Sequence, residues 1–165
     1  MCTVSKKTRA RPPVQLFSAN VRVSIKDLGN YDEFVDELPR QSDDDCYWNV
    51  VKWVKVDGTE YRPGMVVIVG LGELYPRFGS IEIISVTQSR VSSLVENRAS
   101  KAARFLVKEL ITVRFNAHVH AYQVEINPSR NCWLYVKQKG MVTHVPAHKR
   151  LSADGNWYVM TRHAL

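Results

Sequence analysis

VKVDGTEYRPGMVVIVGLGELYPRFGSIEIISV, residues 54–86, decides the fold. Val51, Trp53 and Lys55 alternate with Lys52, Val54 and Val56, the two-residue period of a strand. Asp57-Gly58 is a hairpin dipeptide, because both residues tolerate the positive φ of a tight turn. Arg62-Pro63-Gly64 breaks the chain again. The run Met65-Val66-Val67-Ile68-Val69 has no polar side and predicts a strand buried on both faces. Gly70 to Gly79, with Pro76 inside, predicts a long loop whose glycines supply positive φ. Ser80-Ile81-Glu82-Ile83-Ile84-Ser85-Val86 predicts the return strand.

Outward from this segment the β signal continues. Ile111-Thr112-Val113-Arg114-Phe115 is rich in β-formers, and Ala121–Ile126 alternates with Tyr122, Val124 and Ile126 on one face. Residues 100–110 read as a helix or as the start of a strand, and the downstream composition favours a strand. Asn127–Asn131 is a turn cluster, Cys132–Val136 a further strand, and Asp154-Gly155-Asn156 a turn into a closing strand Trp157–Met160. Towards the N-terminus, Val21–Ile25 alternates, and Tyr31, Phe34, Val35 and Leu38 share one face of a short helix limited by Pro39. Asp43-Asp44-Asp45 reads as a solvated loop, since it lacks the spacing and glycine of a calcium loop. Seven to nine short strands with one or two short helices favour a small barrel over a sandwich. The expected organisation is a disordered basic arm over residues 1–13, then one β-rich domain over 14–165. Its barrel core spans about 48–126, with the C-terminal strands packed on it.

The 165 residues suffice for one domain with a sizeable core. No stretch approaches the ~18 consecutive apolar residues of a membrane span, and no apolar run follows the basic start, so neither a membrane nor a secretory route is expected. Three cysteines, Cys2, Cys46 and Cys132, then read as reduced thiols too scattered for a zinc cluster. The formal net charge is +7 and the pI about 9.5. Such an excess favours polyanions, because contacts to phosphate release condensed counterions.

Tyr61-Arg62-Pro63-Gly64-Met65, the strand to Val69 and the return Phe78-Gly79-Ser80-Ile81-Glu82-Ile83-Ile84 resemble the core of the bromo-adjacent homology (BAH) domain. That family carries a Tyr-x-x-Gly-Asp step and a Gly-Arg-Ile-like return; here Met65 replaces the acidic residue and Ser80 the basic one. The segment is also similar to KOW and Tudor modules, which share the SH3-like barrel. The resemblance covers residues 54–86 and implies a mainly β, SH3-like fold with a nuclear, chromatin-binding role. A second likeness, to animal proteins that look derived from mobile elements, rests on His118-Val119-His120-Ala121-Tyr122-Gln123-Val124 and carries no chemistry to transfer.

Such modules read modified tails with aromatic rings, whose faces attract a methylammonium. Trp48, Tyr61, Tyr75 and Phe78 are the candidate ligand-binding aromatics, with Tyr75 at the loop tip; packing the core is the competing role for large rings at strand ends. Lys6, Lys7, Arg9, Arg11, Arg98, Lys101, Arg104 and Lys108 are candidate nucleic-acid contacts, with Arg114, Lys137, Lys139, Lys149 and Arg150 extending the basic set. His118 and His120 would share a strand face, and Cys132, His144 or His148 would have to complete a metal site there. That would open a metal-dependent hydrolase reading. No serine elbow, cysteine signature, dinucleotide loop or Walker lysine is present, so neither catalysis nor a cofactor is expected. The expectation is a non-catalytic module that binds a protein peptide or chromatin, with direct DNA or RNA binding as the alternative.

Overall fold

The computed structural model describes residues 16–17, 20–29, 31–34, 38, 47–87 and 102–161. The basic arm, the triple aspartate, Arg98 and Lys101 lie outside these residues. The chain is mainly β. Twelve strands are β1 (Leu16–Phe17), β2 (Asn20–Ser24), β3 (Tyr47–Val51), β4 (Val54–Val56), β5 (Thr59–Tyr61), β6 (Met65–Leu71), β7 (Pro76–Thr87), β8 (Ala102–Asn116), β9 (Ala121–Ile126), β10 (Trp133–Val136), β11 (Ala147–Leu151) and β12 (Trp157–Met160). A four-residue helix, α1 (Tyr31–Phe34), and three single 3-10 turns complete the described elements.

The sheet order β10-β8-β9-β12-β11-β6-β7-β3-β2, with β7 also pairing β8, closes six strands into a barrel. Its ring runs β6, β7, β8, β9, β12, β11. β11 and β12 are therefore staves of the barrel. β4 pairs with β1 on one side and β5 on the other in a separate three-stranded sheet. The Asp57-Gly58 turn has φ of 48° and 86° at its two residues, as a two-residue hairpin between right-twisted strands requires.

β6 is buried on both faces, as its unbroken apolar run predicts. Val66 and Ile68 enter the barrel with Phe78, Leu110, Val124 and Val159. Val67 faces the opposite way, into a cluster with Val51, Val54, Tyr61, Ile81, Ile84, Phe105 and Val107 under the three-stranded sheet. A third cluster places Ile25, Phe34 and Trp48 against Leu106 and Trp133. β8 serves all three cores, which is why residues 102–116 form one continuous strand where a helix was an open reading. β7 reaches two faces through a bulge between Ile81 and Ile83. The extra residue breaks the two-residue period and turns Ile83 into the third cluster while Ile81 stays in the second.

The predicted long loop Gly70–Gly79 is instead a hairpin. β6 continues to Leu71 and β7 begins at Pro76, leaving a connection of residues 72–75 closed by Gly72 N–H donating to Tyr75 O at 3.0 Å. Among the glycines, positive φ belongs to Gly58, Gly64 and Gly155 and not to Gly70, Gly72 or Gly79. Gly72 and Gly79 are needed for close approach: a Cβ would meet Tyr75 O at 2.7 Å and Val107 Cγ1 at 2.2 Å, respectively.

Candidate functional site

The β7–β8 ladder runs from Thr87 opposite Ala102 to Gly79 opposite Glu109 and ends there. Beyond that point β7 pairs β6 and β8 pairs β9, so the two strands splay apart. Pro76 explains part of the divergence, since it has no N–H with which to extend a ladder. A bulge between Thr112 and Arg114 re-aims β8 in the same region. The result is a cleft of about 450 Å³ between the hairpin Glu73–Arg77 on one side and Glu109–Thr112 on the other.

Two polar ties hold its walls. Thr112 Oγ1 donates to Pro76 O at 3.0 Å. Arg77 reaches Glu109 in a bidentate pair, Nε to Oε1 at 2.6 Å and Nη2 to Oε2 at 3.0 Å. The hydrogen bonds and charge of Glu109 raise the Arg77 pKa above its ordinary value, which keeps the guanidinium charged. Leu74, 86% exposed, is the tip of the hairpin, and Ile111 is exposed on the facing strand. Glu73 adds a second carboxylate to one wall, so the cleft holds two carboxylates and one guanidinium.

The four aromatic candidates do not converge. Trp48 stacks on Tyr135 at 5.2 Å and 12°, inside the third cluster. Tyr61 is fully buried in the second, where its hydroxyl donates to His144 O at 2.7 Å and accepts from Gln138 Nε2 at 2.9 Å. Phe78 is fully buried in the barrel. Tyr75 is half-buried below the hairpin tip, edge-on to Tyr122 at 6.1 Å. Tyr122 also meets Phe78 at 5.2 Å and Phe115 at 5.0 Å, so these four rings plug this end of the barrel. Phe115 and Tyr122 carry no site signal in the sequence beyond the alternation of β9, which places Tyr122 on the apolar face.

Arg104 and Lys108 lie on one face of β8 over aromatic rings. The Arg104 guanidinium sits 5.9 Å from the Tyr135 centroid and the Lys108 ammonium 5.1 Å from that of Trp133. Lys108 also lies 3.7 Å from Glu33. His118 and His120 share no strand face: both fall in the β8–β9 turn, where His120 has φ of 47°. Cys132 is buried, and burial raises its thiol pKa. No group of three or more metal-ligating side chains occurs among the described residues. No helix among them is long and apolar enough to cross a membrane.

Comparison with protein-family models, curated proteins and solved structures returns no match for this chain. The cleft and its chemistry therefore carry the functional reading. Its walls offer exposed apolar side chains in Leu74 and Ile111 and one carboxylate beyond the Arg77–Glu109 pair, a combination suited to contact with an extended segment.

Proposed function

We propose that this chain is a non-catalytic binding module, of SH3-like and BAH-like type, that takes an extended basic protein segment in the β7–β8 cleft. The observation that carries this reading is the end of the β7–β8 ladder at Gly79 and Glu109, which leaves a groove between two strand edges. An extended segment laid over this groove, above the Thr112–Pro76 and Arg77–Glu109 ties, meets Leu74, Tyr75 and Ile111 with its side chains. Glu73, the carboxylate left over beside the Arg77–Glu109 pair, favours a lysine or arginine, which supports a histone-tail class of ligand. The net charge of +7 adds attraction to nearby DNA phosphates, and together these support a chromatin setting in the nucleus.

A modified-histone peptide array run beside a duplex oligonucleotide tests this. Peptide binding is expected to weaken about tenfold, or ~1.4 kcal/mol, in Tyr75→Ala and in Ile111→Lys, and to survive in Arg104→Ala. Duplex binding that falls steeply with salt and is lost in Arg104→Ala would assign the function to the basic face of β8 instead. Absence of binding to either ligand overturns both readings.

A further inference from the structure

Beside Trp157 the barrel wall holds an ammonium with no counter-ion among the described residues. Lys149, on β11, alternates with Arg150 so that its side chain enters the barrel beside Val159, its cross-strand partner. Its Nζ donates to Ser80 Oγ at 3.1 Å, and Ser80 is 1% exposed. The same ammonium lies 5.6 Å from the centroid of the Trp157 ring. No carboxylate of the described residues comes within ion-pair distance of it. An ammonium has three donors, and here one goes to a hydroxyl beside a mouth walled by Leu110, Val124, Ile126 and Trp157, with Glu125 at its exposed edge. A cation held against apolar walls is costly unless an anion pairs with it.

The geometry points to a carboxylate-binding site at this mouth, with Lys149 as the cation, Ser80 as the group that fixes it and Trp157 as one wall. The recess beside the ammonium is about 10 Å³, room for one oxygen atom, so a single carboxylate oxygen enters it and the rest of the ligand stays outside. A single cation also matches a single negative charge, and Glu125 at the rim disfavours a dianion. Ile126, 59% exposed, and Leu151, 54% exposed, stand outside the mouth and offer apolar surface to whatever follows the carboxylate. The ligand is thus an aliphatic carboxylate with its head at Lys149 and its tail across Ile126, Leu151 and Trp157. Free short-chain acids and the C-terminus of a protein ending in an aliphatic residue share this chemistry. The site shares Leu110 with the wall of the β7–β8 cleft, but its ligand chemistry differs and it does not rest on the proposed function.

The test is an NMR titration that follows the Trp157 indole N–H, assigned with Trp157→Phe. Hexanoate, hexanamide and inorganic phosphate are the probes, with a tetrapeptide ending in Leu-Leu as free acid and as amide. Hexanoate is expected to shift the Trp157 resonance saturably, whereas hexanamide leaves it in place and phosphate binds more weakly. Lys149→Met is expected to weaken hexanoate by about tenfold or more, and Ser80→Ala by a smaller factor. If Lys149→Met does not fold, Ser80→Ala and the acid–amide comparison on the wild-type chain decide. Tighter binding of the free-acid peptide than of hexanoate assigns the site to protein C-termini, and equal binding assigns it to free acids. The proposal is overturned by the absence of saturable shifts, by equal binding of hexanamide or phosphate, or by undiminished binding in a folded Lys149→Met.

Discussion

Gly79 marks the last paired position before β7 and β8 separate, and its missing side chain is what lets them meet there. A Cβ would sit 2.2 Å from Val107 Cγ1 and 3.2 Å from Val69 Cγ1, both in packed surroundings. Gly79→Ala is expected to destabilise the chain by about 1–3 kcal/mol, read as a lower urea midpoint, with part recovered in Gly79→Ala/Val107→Ala. Gly29→Ala meets nothing within 4 Å and should leave the midpoint within ~0.5 kcal/mol, which controls for the change itself. Tyr61 shows the same dependence on a single group. Removing its hydroxyl takes one of two acceptors from the buried Gln138 amide and the donor from His144 O, so Tyr61→Phe should cost about 1–3 kcal/mol and leave the cleft's ligand binding intact. Burial raises the Tyr61 pKa, and the raised value gives the sign of a pH effect. Stability from this group is complete below the ordinary tyrosine pKa of about 10 and falls as pH rises towards the folded value. The stability of Tyr61→Phe should therefore fall less steeply with rising alkaline pH than that of the wild type; equal slopes would discard this account.

The strands were legible in the sequence wherever a local rule decides them. Asp57-Gly58 is a turn because those two residues accept positive φ, and β6 is doubly buried because it has no polar side. The Gly70–Gly79 segment defied the same rules. Its glycines answer to Val107 and Tyr75 O, contacts that a count of turn residues cannot register. The histidine pair was misplaced for a related reason: period two was carried past Asn116 into a turn. The cleft itself was half legible. The sequence points to Tyr75 and a loop around it, but the facing wall, Glu109 to Thr112, comes from a strand that shows no sign of its partner in sequence. The β11–β12 hairpin carries a prediction at this scale. Asp154 accepts from the Asn156 backbone N–H at 3.0 Å and from Tyr158 Oη at 3.1 Å. Hydrogen bonding, first from the Asn156 side chain and then from its backbone, lowers the Asp154 pKa below the ordinary carboxylate value. A lowered folded pKa means that the stabilisation is present above about 3.9 and is lost as pH falls through the folded value. Amide resonances of Ser152–Asn156 should titrate together in that acid window, and in Asp154→Asn that titration should be absent.

At the scale of the whole molecule, closure of the barrel rests on seams of unequal length. β7 and β8 pair from Thr87 and Ala102 up to Gly79 and Glu109, whereas β6 and β11 meet only through Val66 with Ala147 and Met65 with His148. One further backbone bond, Val142 N–H to Ile68 O at 2.8 Å, supports the short seam. Local opening follows the sparsest pairing, so the barrel should open first between β6 and β11. Native-state hydrogen exchange should find β11 amides opening at a free energy about 1–2 kcal/mol or more below that of the β7–β8 amides. The carboxylate mouth lies beside this seam, with Lys149 on β11, Ser80 on β7 and Trp157 on β12. A ligand that bridges those three strands binds the closed barrel in preference to the open one. Its effect on opening is set by mass action, ~2.7 kcal/mol of added protection at a hundredfold excess over Kd. Hexanoate at saturation should slow exchange in β11 and β12 and leave β2 and β3 unchanged. Uniform slowing across all strands would instead mean that the barrel opens only as a whole, and the short seam would then have no separate motion to control.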